Sequence, residues 1–104
     1  MIIVNTENIA GKKIKKTLGM VKGSTIRSKH IGSDIMASLK HIVGGELKGY
    51  TKMIQEAREE SMKRMVEEAK SLKANAIINV RFSTSQVMQG AAEILVYGTA
   101  VIIE

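Results

Sequence analysis

The side chains in this chain that could do chemistry are few and scattered. Histidine occurs twice, at His30 and His41, and cysteine not at all. The lack of thiols removes disulfides, thiolate metal sites and cysteine nucleophiles together, and it fits a reducing compartment. Soft metals favour thiolate, thioether or imidazole donors. On one helix, His30 and His41 would share a face but stand about 16 Å apart along the axis, too far to hold one ion within a subunit. Met53, Met62 and Met65 offer thioethers, at a helical spacing that reads as core filling. No metal site is expected. Ser83 or Ser85, His41 and Glu46 make a nucleophile, base and acid on paper, but nothing resembles a G-x-S-x-G elbow. There is no Walker A loop and no G-x-G-x-x-G after a strand. The chain is therefore read as non-enzymatic and without a cofactor.

Two polar clusters remain. Arg81 with Ser83, Thr84 and Ser85 could offer a cation, hydroxyls and backbone N–H groups to a small anion or other ligand; the same run at a strand end also serves as turn chemistry. Lys12, Lys13, Lys15 and Lys16 form the densest charge. Residues 1–49 hold nine Lys or Arg against three acids, Glu7, Asp34 and Glu46, whereas residues 50–104 hold seven of each, so the whole net charge of +6 lies in the first half. Such a cluster can bind nucleic acid or another polyanion by displacing its counterions. Equally, it can keep a sheet edge soluble and unpaired. No aromatic residue is interleaved with the lysines to stack on bases.

Elements that could position these groups are marked by periodicity. At 104 residues, with 44% apolar and 25% charged, the chain is long enough for one domain with a real core, spanning 1–104. Its apolar runs fall short of a membrane span and its N-terminus lacks a basic leader, so a cytoplasmic location is expected. Ile2 to Thr6 reads as a short strand, followed by a turn at Gly11. Ile14 to Ser28 reads as a β segment bent or bulged at Gly19 and Gly23. Ile31, Ile35, Leu39 and Ile42 recur at helical spacing and end at Gly44-Gly45. From about Lys48 to Leu72 a longer helix carries Tyr50, Met53, Ile54, Ala57, Ser61, Met65, Ala69 and Leu72 along one stripe. Glu59 with Lys63 and Glu60 with Arg64 stand in the favourable acid-first order on its outer side.

The helix runs with almost no linker into strands that can cover its stripe. From Asn75, alternation puts Ala76, Ile78, Val80 and Phe82 on one side and Ile77, Asn79, Arg81 and Ser83 on the other. In Glu93 to Ile103 the alternation fails. Ile94, Val96, Ala100 and Ile102 form one face, while Leu95, Tyr97, Val101 and Ile103 form a second that is just as apolar. A helix layer covers one face only, so the second is expected to meet another copy of the chain. The fold class is α+β, a two-layer sheet with a long amphipathic helix, working as a homo-oligomer.

Four stretches resemble the YbjQ-like, or UPF0145, family: GGELKGYT at 44–51, EAREESMKRM at 56–65, ANAIINVRFSTS at 74–85 and GAAEILVYGTAV at 90–101. The resemblance covers nearly the whole chain. It implies a dodecin-subunit-like fold assembled as a pentameric ring, and it brings a heavy-metal-binding label that the residues themselves do not support. Flavin binding, suggested by fold analogy alone, finds no Trp to stack on the ring. Ser83 stands where the family often has Asp, and Lys73 where a Gly usually precedes the Ala-Asn-Ala turn. A structural or small-ligand-binding oligomer is the reading; a nonspecific nucleic-acid or polyanion binder is the alternative.

Overall fold

The computed structural model describes residues 1–28, 48–88 and 91–104. The expected helix from Ile31 to Val43 and its Gly44-Gly45 stop lie outside the described residues. The elements are β1 (Ile2–Ile3), β2 (Ile14–Ser28), α1 (Lys48–Ser71), β3 (Ala76–Met88) and β4 (Ala91–Ile103). The strands form one sheet in the order β1-β3-β4-β2. β1 is parallel to β3, and β4 is antiparallel to both of its neighbours. α1 lies across β2 and β4 on one face of the sheet.

Burial follows the stripe read from the sequence. Ala57, Ser61, Met65 and Ala69 are fully buried, while Leu72, just past the helix, is exposed. Val21, Met65, Ala69, Ile77, Val80, Val96 and Ala100 make the core between helix and sheet. Helix and sheet backbones come into contact at Gly23, where a Cβ would sit 2.0 Å from the Ser61 carbonyl oxygen and 2.6 Å from the Met65 nitrogen. The expected bend at Gly23 is therefore not what this glycine provides: the ladder runs through it regularly, and its missing side chain lets backbone touch backbone. The irregularities of β2 fall earlier, between Ile14 and Lys16 and between Thr17 and Gly19.

A buried polar node fixes the helix near this approach. The Ser61 hydroxyl reaches the carbonyls of Ala57 at 2.8 Å and Ile94 at 3.0 Å, and the Thr25 hydroxyl lies 3.1 Å from the Ser61 hydroxyl and 3.2 Å from the Ala57 carbonyl, to which it can donate. Helix, β2 and β4 are thereby joined by groups with no unsatisfied buried side-chain atom among the described residues. A satisfied polar cluster in an apolar layer accepts few alternative registers.

The expected alternation in β3 is overturned midway. Asn79 takes a left-handed conformation, φ 53°, and the register skips between Ile78 and Arg81. This inserts a bulge, which reverses the side-chain phase. Ile77 and Val80 both face the helix, whereas Ala76 and Ile78 join Val101 and Ile103 on the opposite face. Asn is among the few residues that enter this conformation readily. The four residues expected to share one face thus divide: Ala76 and Ile78 lie on the open side, Val80 and Phe82 on the helix side, where Phe82 pairs with Val96.

The second apolar face of β4 is partly closed within the chain. Val4, Ile9 and Ile14 pack over Ala76, Ile78, Val101 and Ile103. The segment after β1 is held there by Val4 N–H to the Ile77 carbonyl at 3.0 Å and Asn79 N–H to the Thr6 carbonyl at 3.0 Å. Val101 is wholly buried and Ile103 nearly so, and neither is available to another copy as expected. The exposed part of that face begins at Tyr97 and continues through the half-buried Leu95.

Candidate functional site

The face of the sheet opposite α1 is read directly from the pairing. Directly paired residues on neighbouring strands point the same way, with Cβ atoms about 5 Å apart. Tyr97 is opposite Lys22 on one side and Arg81 on the other; the next row is Ser24, Leu95 and Ser83, and the one after it Ile26, Glu93 and Ser85. A tyrosine is thus flanked by two cations, with two serines and a leucine beside it. Met20 and Ile26 are exposed on the same face, at 73% and 59%.

The sequence-predicted ligand set is split by this geometry. Arg81, Ser83 and Ser85 lie on the open face, whereas Thr84, paired with Ile94, points to the helix side. The Ser83-Thr84-Ser85 run does not end a strand: β3 continues to Met88, and its β4-facing amides are taken by the ladder. The run therefore supplies neither a turn nor a nest of converging N–H groups. Arg81 is positioned more firmly than its neighbours. One terminal nitrogen donates to the Asn5 carbonyl at 2.7 Å and to the Val80 carbonyl at 3.1 Å. Among the described residues it makes no ion pair, and the residue is exposed. Lys22 and Tyr97 were not grouped with Arg81 from the sequence, because only the strand register brings positions 22, 81 and 97 together.

Lys12, Lys13, Lys15 and Lys16 are all exposed near the start of β2. Lys15 pairs with Glu104 at 2.9 Å; at 64% and 61% side-chain exposure such a pair is worth well under about 1 kcal/mol. Of the two helix pairs read from the sequence, Glu60 with Arg64 forms at 3.3 Å. Arg64 also donates to the Ser24 carbonyl, tying the helix to β2.

The described residues do not supply donors that fit a heavy-metal ion. Among them no three His, Cys, Asp or Glu side chains converge, Met65 is fully buried and Met62 packs against the core. His30 and His41 lie outside the described residues. No described helix is long and apolar enough to cross a membrane.

Sequence comparison decides the family. The model of the YbjQ family, described as "Putative heavy-metal-binding", matches residues 1–104, and a UPF0145 protein of Dehalococcoides mccartyi is 65% identical over the full length of both chains. The chain belongs to the UPF0145 family. An archaeal member from Methanosarcina acetivorans is 62% identical, covering 97% of this chain and 95% of its own; one from Archaeoglobus fulgidus is 54% identical, covering 97% and 94%. A solved structure from Pediococcus pentosaceus, described as a protein of unknown function in the DUF74 family, matches with a TM-score of 0.66 at 18% identity, over 100% of this chain and 98% of its own. That likeness supports the α+β fold.

Proposed function

We propose that this UPF0145 protein is a cytoplasmic, non-catalytic homo-oligomer that binds a small ligand or ion on surfaces its copies share. The observation that carries the reading is the pair of open strand edges. β2 pairs only with β4, and β3 is covered on its outer side by residues 2–6 but not from Phe82 onward, among the described residues. Residues 82–87, FSTSQV, carry no charge and no proline, two of the devices that discourage strand addition. Joining the outer edge of β2 in one copy to residues 82–87 of the next is a head-to-tail contact, which closes into a ring when the rotation allows. Five copies is the number the family resemblance implies. The open face, with Tyr97, Leu95, Met20 and Ile26 beside Lys22, Arg81 and Ser83, would line the resulting shared surface.

Light scattering coupled to gel filtration tests this. A pentamer of the 11.4 kDa chain has a mass of about 57 kDa. A clean 11 kDa species at micromolar concentration would remove the reading. Thr84→Pro separates edge joining from other modes. The Val80 N–H points outward to Val4, and regular pairing from Arg81 to Thr84 turns the Thr84 N–H outward as well. Proline there deletes an edge donor while leaving the β4 ladder intact, and the assembly should fall apart. An intact oligomer would place the contact elsewhere.

A further inference from the structure

One end of the sheet gathers lysines from two separate stretches of the chain, 12–16 and 70–73, onto the side that carries α1. Ala100 faces the helix, and alternation along β4 sends Ile102 and Glu104 to the same side. Lys16 is the partner of Ile102, and Lys13 exchanges backbone hydrogen bonds with Glu104 at 3.2 and 3.0 Å. Lys15 reaches the Glu104 carboxylate from the bulge beside them. α1 runs along β4 in the same direction, from Ser61 at Ile94 to Ala69 in the cluster with Ala100. Its last turn therefore delivers Lys70 to this end. Lys73 follows in the turn, its N–H on the Lys70 carbonyl at 2.9 Å, and the turn is fastened to β4 by Asn75 N–H to the Val101 carbonyl at 3.2 Å.

We propose that this end, formed by Lys13, Lys16, Lys70 and Lys73 with Lys12 and Lys15 at its margin, docks on the phosphate backbone of double-stranded nucleic acid. The surface differs from the lysine-rich stretch visible in the sequence, because two of its members come from the half of the chain that carries no net charge. Lysines are point charges on flexible stems, suited to phosphate oxygens and unsuited to reading base edges. A duplex is favoured over a single strand because stacking platforms are elsewhere: Tyr97 is on the opposite face, and Phe82 lies on β3 beyond its bulge, opposite Val96. Glu104 engages Lys15, and Glu67 and Glu68 sit in the preceding helical turn; they lower the local field. The surface is complete within one chain and does not depend on the oligomer.

Fluorescence anisotropy with a labelled duplex of about 30 base pairs of arbitrary sequence, from roughly 25 to 200 mM salt, tests it. Log affinity should fall linearly with log salt, and replacing Lys70 and Lys73 by Gln should reduce the slope by about 0.9 per lysine, as should Lys13→Gln and Lys16→Gln. Lys52→Gln with Arg58→Gln removes the same charge from a part of α1 about 18 Å or more along the axis from Lys70 and should leave the slope unchanged. Circular dichroism and light scattering confirm that each variant keeps the fold and assembly of the parent. Equal losses from all pairs would show a response to net charge alone and overturn the proposal. So would absence of binding at the lowest salt, or retention on vesicles of anionic lipid without retention on the duplex.

Discussion

Replacing Gly23 by Ala should unfold much of what holds α1 to the sheet. An added Cβ would stand 2.0 Å from the Ser61 carbonyl oxygen, 2.6 Å from the Met65 amide nitrogen and 3.0 Å from the Arg64 Cβ. Ordinary contact begins near 3.4 Å, so helix and strand must separate by over 1 Å. Two of the three neighbours are backbone, and no rotamer change relieves them. Separation also stretches the Thr25–Ser61 hydrogen bond, already 3.1 Å, and leaves buried hydroxyls short of partners. Overpacking of a core costs about 1–3 kcal/mol where side chains can yield; here they cannot, and we expect roughly 3 kcal/mol or more. A domain of this length has a total stability of about 5–15 kcal/mol. Urea unfolding followed by circular dichroism at one fixed protein concentration, so that any association is constant, measures the change. Gly98→Ala is the internal comparison: its new Cβ meets Ile77 Cγ2 at 2.8 Å and Val80 Cγ2 at 3.0 Å, with the Ile78 carbonyl at 3.0 Å. Two of those neighbours are side-chain methyls, and the loss should be smaller. A Gly23→Ala protein within about 1 kcal/mol of the parent, or one more stable than Gly98→Ala, would refute the close approach as described.

Two further changes probe other joints of the fold. Lys73 follows the helix with φ 66°, where a side chain is strained and glycine is at ease, so Lys73→Gly should raise the unfolding free energy by about 0.5–1 kcal/mol, and the urea midpoint with it; a decrease would show that its side chain contributes more than its backbone costs. Ser61→Ala removes the hydroxyl that reaches the Ala57 and Ile94 carbonyls and that is hydrogen-bonded to Thr25, which keeps the Ala57 carbonyl. It should cost about 1–2 kcal/mol despite alanine's better helix propensity, and an unchanged midpoint would show that the node contributes nothing to stability.

Local pattern and tertiary structure determined different things. The spacing of Ala57, Ser61, Met65 and Ala69 specified the long helix and its buried face, because a 3.6-residue repeat needs no knowledge of the partner. The extents of β2 and the final strand were legible for the same reason. The phase reversal at Asn79 was not, since a bulge depends on the opposing strand, and one inserted residue turns every later side chain over. Gly23 looked like a bend, and only the arrival of α1 makes it a contact. Val101 and Ile103 looked like an interface, and only the return of residues 4–14 over the sheet covers them. The chemistry-bearing groups show the same division. Four lysines between positions 12 and 16 are evident in the sequence, but Lys70 and Lys73 join them through the direction of the helix, and Lys22, Tyr97 and Arg81 form a row solely through register. Sequence determined which faces exist, because periodicity is local; the three-dimensional structure decided which residues share them, because pairing and packing join positions far apart in the chain.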